Sequence, residues 1–342
     1  MKRLRASSRR FFTLLLFATS PVWAGSDELS DADKTSTSDT DLELAAPKEK
    51  PERRPWKLSL SAGGGYDSNV LLLGDGFPLP VSITNKGAGY GRLTLDGSYR
   101  WEITKDDYLT AGYSFLAKIY DNIAPSDLVD HYWFAEHKHF FSDKWAGLLR
   151  VSDEYQTVGG LDFSNQVAVR PSIVHKCASW TSSEVYYQFA TTEFYLPIAA
   201  RVFDRDSDAH TVGWLQRIYV PDTDISIYGG YAYAWSEADG LDFDYERHSV
   251  QFGISSPIIW EVTGNLSYTH TWDQYNNLNS FSPAGRFTKR RDDGDFISVR
   301  LTRPINEMLS VYVRYDYNQN EGNIMFYQYD QHIWTAGIIA DF

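Results

Sequence analysis

The chain has 342 residues, enough for one large domain or two ordinary ones. Hydrophobic (43%) and charged (23%) shares are near globular averages, but aromatics reach 15%, which suits strands with wet and greasy ends. A net charge of −13 argues against a nucleic-acid partner, and the one cysteine, Cys177, excludes an internal disulfide or a cysteine zinc cluster.

Residues 1–24 read as a signal peptide: Lys2, Arg3, Arg5, Arg9 and Arg10 precede an apolar stretch from Phe11 to Ala18, and Val22-Trp23-Ala24 offers a cleavage site. Ser8-Arg9-Arg10-Phe11-Phe12 resembles a twin-arginine motif but reads as ordinary basic charge. Gly25, not cysteine, follows the cleavage site, so no lipid anchor is expected. Residues 25–55 are rich in Asp, Glu, Ser, Thr, Pro and Lys, the composition of a disordered spacer or of a tether for a periplasmic partner.

From Trp56 onward the hydrophobic period is two. Leu93, Leu95, Tyr99 and Trp101 share one face of a strand, with Arg92, Thr94, Asp96, Ser98 and Arg100 on the other. Leu109 to Ile119, Ile225 to Trp235 and Leu309 to Tyr317 repeat the alternation. These runs exceed the usual globular strand and match a bilayer core. Short connections are expected near Thr104-Lys105-Asp106, Ser142-Asp143-Lys144, Cys177-Ala178-Ser179, Pro221-Asp222-Thr223, Ser256-Pro257 and Pro304-Ile305-Asn306. Longer ones are expected at 71–87, 122–129, 158–165, 195–208, 237–246, 275–293 and 319–327. This rhythm predicts an all-β, antiparallel up-and-down transmembrane barrel of about fourteen strands over residues 56–342. Trp56, Trp101, Trp145, Trp180 and Trp260 fall beside short turns, and Tyr120, Trp235, Trp272 and Tyr317 toward long loops, which reads as two aromatic girdles. His131 to Phe141 is mixed on both faces, and its lipid face stays open.

The chain closes on Trp334, Ala336, Ile338, Ala340 and Phe342, an apolar face placed at the end of the sequence. That ending resembles the terminal signal of bacterial outer-membrane barrels, which implies outer-membrane lipid and the barrel-assembly machinery as partners.

By the strand registers the lumen should hold Arg92, Arg100, Lys118, Arg150, Arg170, Arg300 and Arg314, with Asp67, Asp96, Glu154, Glu184 and Asp316. Such residues either select charged solutes or form an internal ion-pair web. His137 and His139 share a strand face but lack a third ligand, so interfacial histidines are expected. Asp204-x-Asp206-x-Asp208 opens like a calcium loop, yet Ala209 and Leu215 stand where Gly and Glu are required. Asp67-Ser68-Asn69 has no neighbouring His, and no phosphate loop, dinucleotide fingerprint or haem motif occurs. No enzyme, cofactor or metal site is expected.

Gly65-Tyr66-Asp67-Ser68-Asn69-Val70 resembles a first-strand segment of barrels that follow tetratricopeptide repeats, among them the surface lipoprotein assembly modifiers. The resemblance implies a barrel of about fourteen strands and a role in lipoprotein assembly. The reading from the residues is a channel for small hydrophilic solutes or a polymer. An assembly or export barrel for lipoprotein or polysaccharide stands beside it, and a rim enzyme or adhesion scaffold is the third alternative.

Overall fold

In lipid every strand N–H and C=O must find a partner, so strands spanning a membrane must close on themselves. The computed structural model shows that closure. It describes residues 54–74, 79, 83–195, 201–282 and 287–342; the expected signal peptide and most of the spacer lie outside this range. The strands are β1 (Trp56–Asp67), β2 (Ala88–Glu102), β3 (Asp107–Tyr120), β4 (Leu128–Ser142), β5 (Trp145–Val158), β6 (Leu161–Ala178) and β7 (Thr181–Phe194). They continue with β8 (Ser207–Tyr219), β9 (Ser226–Ala238), β10 (Tyr245–Pro257), β11 (Thr263–Leu278), β12 (Lys289–Pro304), β13 (Leu309–Gly322) and β14 (Tyr329–Asp341). Each pairs antiparallel with its sequence neighbours, and β14 returns to β1, giving a closed fourteen-stranded barrel. No helix among the described residues is long and apolar enough to cross a membrane.

The pleat sorts the side chains. Leu93, Val313 and Ile338 on the outer face are 42%, 52% and 53% exposed, whereas Asp67 on the inner face is fully buried. An apolar exterior and a polar interior are the inverse of a soluble β-sandwich and match an outer-membrane barrel.

The β4 ambiguity is resolved by register. Ala111, Tyr113 and Phe115 of β3 face Ala135, Trp133 and His131, so those residues and His137 and His139 point outward. His137 and His139 both approach Asp107 Oδ1, at 3.3 and 2.7 Å. Near the long-loop end, Tyr hydroxyls bond the Nδ1 of outward histidines in the pairs Tyr113–His131, Tyr187–His210, Tyr231–His248 and Tyr315–His332, at 2.6–2.8 Å. These rings, with Trp133 and Trp235 stacked among them and Trp334 tilted against Tyr315, form the outer aromatic girdle.

Four sequence expectations need correction. The 158–165 connection is not long: Gly159 and Gly160, at φ 60° and 74°, form a two-residue turn, because adjacent glycines adopt positive φ without steric cost. Pro257 ends a strand, and the turn that follows runs through Trp260 and Glu261, both at positive φ. Cys177 lies at the exposed end of β6, not in the turn. Tyr120 points inward and is buried, so it does not belong to a girdle.

The seam lies between β1 and β14, paired from Ser59–Asp341 to Asp67–Ile333. No bulge breaks this ladder at Gly63-Gly64-Gly65. Glycine is needed there because a Cβ on Gly65 would lie 1.8 Å from the Trp334 carbonyl oxygen, and one on Gly63 2.5 Å from that of Ala336. At the other end of the seam the Phe342 N–H donates to the Leu58 carbonyl, at 3.0 Å. Deleting Phe342 should lower the yield of membrane-inserted barrel, measured by heat-modifiable gel migration. Normal yield would show that the closing residue is dispensable for assembly.

Candidate functional site: a basic lumen under a loop lid

Every lumen candidate from the sequence lies on the inward parity of its strand. The registers also make like-charge neighbours: Arg92 faces Lys118, Arg150 faces Arg170 and Arg300 faces Arg314. β5–β6 and β12–β13 stand on opposite sides of the barrel, so the last two pairs confront each other across the lumen. Toward the short-turn end come Lys57, Arg100, Lys138 and Arg217, with Lys57 and Arg100 close enough to repel one another. Like charges directly opposite in a sheet are destabilising. A web built only to stiffen the barrel would alternate signs.

Carboxylates temper this field without removing it. Glu136 takes Arg150 at 2.7 Å, Glu184 lies 3.1 Å from both Arg170 and Arg217, and Asp316 takes Arg314 at 2.7 Å. Several cations also lie over inward rings: Arg100 over Tyr108, Arg170 over Tyr186 and Arg300 over Tyr312, at 4.3, 3.9 and 4.7 Å to the ring centres. The acids Asp130, Glu154, Asp273 and Asp292 gather toward the long-loop end.

The sequence reading missed Lys57, Glu136, Lys138, Arg217, Arg247, Asp273, Arg290 and Asp292 as inward groups. The strict alternation from Trp56 carried the signal for Lys57. Glu136 and Lys138 were hidden because both faces of β4 mix charge with aromatics.

Described residues of four long loops meet one another at the long-loop end. Phe281 of the β11–β12 loop stacks on Phe326 of the β13–β14 loop at 4.4 Å and meets Phe203 of the β7–β8 loop at 5.5 Å. Arg290 is fully buried on β12, bonds Asp292 at 2.6 Å, and lies between the rings of Tyr275 on the wall and Tyr327 in the lid. Arg205, buried in the β7–β8 loop, lies over Phe194 and Phe243, and burial lowers its pKa to about 10. Asp242, in the turn Leu241–Phe243, accepts both the Ser280 N–H and hydroxyl, linking a fourth loop to this lid.

The Gly65–Val70 segment latches the seam beneath the lid. Asp67 accepts Lys118 Nζ at 2.9 Å, the Tyr120 hydroxyl at 3.0 Å, Gln331 Nε2 at 2.9 Å and the Asn69 N–H at 3.0 Å. Asn69 Nδ2 donates to the carbonyls of Leu73 and Asp330, and Ser68 exchanges backbone and hydroxyl bonds with His332. Val70, Leu71 and Leu73 then pack inward against Tyr90, Tyr120 and Ile123. Tyr66, by contrast, faces outward and is half exposed. The Asp204–Asp208 run serves the backbone: Asp206 accepts the Phe194 N–H at 2.6 Å. Among the described residues no cluster of three metal-ligating side chains occurs.

Two outcomes test this arrangement. Asp67→Asn should destabilise the barrel by about 3 kcal/mol, because it leaves Lys118 without its charge partner. Adding Lys118→Met should recover part of that loss, read as the temperature of heat-modifiable unfolding; no change in Asp67→Asn would remove the latch. Burial is the largest influence on Asp242 and raises its pKa above the usual carboxylate value. The closed lid therefore binds more protons than the open one, and closure strengthens as pH falls through the acid range and weakens as pH rises past the raised value. Protection of the Ser280 loop from limited proteolysis should increase on acidification, and Asp242→Asn should flatten that response.

Part of this chain matches a known family. The model of the surface lipoprotein assembly modifiers matches residues 206–336, from just before β8 into β14 and less than half of the chain. A search of curated proteins returns no match. Among solved structures, the translocator domain of the autotransporter NalP from Neisseria meningitidis is 11% identical, with 94% of this chain and 98% of that one covered, at a TM-score of 0.38. The anion-selective porin from Comamonas acidovorans is 9% identical over 84% and 98%, at 0.47. These likenesses go no further than the barrel fold. The chain is an outer-membrane-type β-barrel that resembles the surface lipoprotein assembly modifiers.

Proposed function

We propose that this barrel is a lid-gated outer-membrane passage for hydrophilic, anionic cargo, either small solutes or a polymer. The observation that carries it is the set of like-charge neighbours Arg150–Arg170 and Arg300–Arg314 on the inner wall of a chain whose net charge is −13. Acids dominate the chain, yet bases are concentrated on the short-turn half of the lumen. With short turns on the periplasmic side, as in bacterial outer-membrane barrels, that half opens to the periplasm. A basic vestibule bounded by low-dielectric walls concentrates anions and steers them inward. The lid lies at the opposite end, where cargo would leave or enter the cell surface.

The second reading is assembly of a surface lipoprotein with a periplasmic partner, favoured by the family match over β8–β14. It predicts that a co-expressed lipoprotein reaches the cell surface only with the barrel present, whatever the lumen charge.

Planar-bilayer recordings under a KCl gradient test the first reading. Wild type should show rare openings, and the pair Phe281→Ala and Phe326→Ala should raise their frequency several-fold. The open state should prefer chloride to potassium. Arg150→Glu with Arg300→Glu should move the reversal potential toward cation preference. An unchanged reversal potential would return these arginines to a structural role.

A further inference from the structure

We propose that the acidic segment 27–43 of this chain docks in the basic vestibule at the short-turn end and holds the place that anionic cargo must take. This rests on the anion-drawing vestibule described above and adds a resident competitor to it. The charge of the vestibule does not depend on which groups pair. On the short-turn half of β1–β8, Lys57, Arg100, Lys138, Lys176 and Arg217 take inward positions, with Arg150 and Arg170 a step deeper. The inward acids there are Asp96, Glu102, Glu136 and Glu184. Seven bases against four acids leave three positive charges in excess, although most of these groups have partners. Glu184 shows the shortfall, since it lies 3.1 Å from both Arg170 and Arg217. In the same half the inward positions of β9–β11 are uncharged, among them Gln251, Ser255, Asn265 and Ser267.

The acidic segment is joined to the barrel at this field. The Arg100 N–H donates to the Pro55 carbonyl at 2.7 Å, so the chain upstream of β1 meets the barrel at the basic rim. Residues 27–43 carry seven carboxylates, from Asp27 to Glu43, and one base, Lys34. Residues 44–55 carry Lys48, Lys50, Arg53 and Arg54 against Glu49 and Glu52. A plain spacer has no need of acids gathered at the far end and bases at the rim. The connecting stretch 44–55 reaches roughly 40 Å when extended, enough to bring the acids back over the mouth. Tethering puts the segment at an effective concentration on the order of millimolar, so contacts too weak to hold a free peptide suffice. A polyanion of higher charge density would displace the segment, which makes the vestibule selective for multivalent cargo.

Bilayer recordings compare the full chain with a variant in which the seven carboxylates of 27–43 become Asn or Gln, heat-modifiable migration confirming that both are folded. At about 0.1 M KCl the variant should carry at least about twofold more chloride current. At about 1 M, where screening acts within about 3 Å, the two should agree. A synthetic peptide of residues 27–43, added to the short-turn side of the variant, should restore the low current, and its Asn/Gln counterpart should not. Carbodiimide coupling, which joins a carboxylate to a lysine amine, gives a readout that needs no current. Mass spectrometry should find 27–43 joined to Lys176 on β6, well round the barrel from β1, at low salt and not at high salt. A Lys176 link with equal low-salt currents would overturn the competition. Equal currents and no Lys176 link would overturn the docking, and the anion passage survives if both proteins prefer chloride. Absence of the link and of chloride preference in both proteins overturns the docking together with the reading beneath it.

Discussion

Closure of the β1–β14 ladder is the constraint on which everything else depends. An open sheet edge in hydrocarbon would leave a row of unpaired N–H and C=O groups, each costing several kcal/mol. The chain must therefore bring residues near Trp56 to residues near Phe342, the longest loop closure available to it. Glycines at 63 and 65 permit the backbones to approach there. Phe342 closes the short-turn end, while Asp67, Ser68 and Asn69 close the long-loop end against Gln331, His332 and Asp330. Through Lys118 and Tyr120 the same aspartate ties the seam to β3. One buried carboxylate thus couples barrel closure to the inward fold of the first loop.

Closure also creates the lumen, and the lumen accepts what lipid rejects. Once the apolar side chains are committed outward, alternation sends the intervening residues into a shared interior. There the charges of distant strands meet, and their mutual energies depend on register. Arg150 beside Arg170 and Arg300 beside Arg314 are costs that the ladder imposes; Glu136, Glu184 and Asp316 offset part of each. At the opposite end the aromatic loop contacts and the buried Arg290 add cation–ring contacts to carboxylate pairing, as in Arg290 with Asp292 and Arg247 with Asp273.

Much of this was legible because a strand in lipid obeys a simple rule. The outward faces of β2, β3, β9 and β13, the strand number and the pairing of the last strand with the first all follow from period-two alternation. The rule failed where both faces carry mixed residues. In β4, His131 and His137 look polar but lie outward, and Tyr132 and Phe134 look apolar but face the lumen. Residue type misled at Tyr120, which suits a girdle, whereas alternation correctly sends it inward to Asp67. The Gly159-Gly160 turn was hidden because polar strand residues above the membrane resemble a loop.

Residues 65–70 show where the two levels of information divide. The amino-acid string alone marked a strand end followed by loop-forming Asp, Ser and Asn, and it carried the family resemblance. It contained no trace of Gln331, His332 or Lys118 as partners, since these lie on strands that only closure brings alongside. The sequence by itself determined that the chain crosses lipid as an even-stranded barrel, because every second residue must satisfy either hydrocarbon or water. Only the tertiary structure decided which inward charges meet and which loops meet one another. Those outcomes depend on inter-strand register and loop packing, which local alternation does not encode.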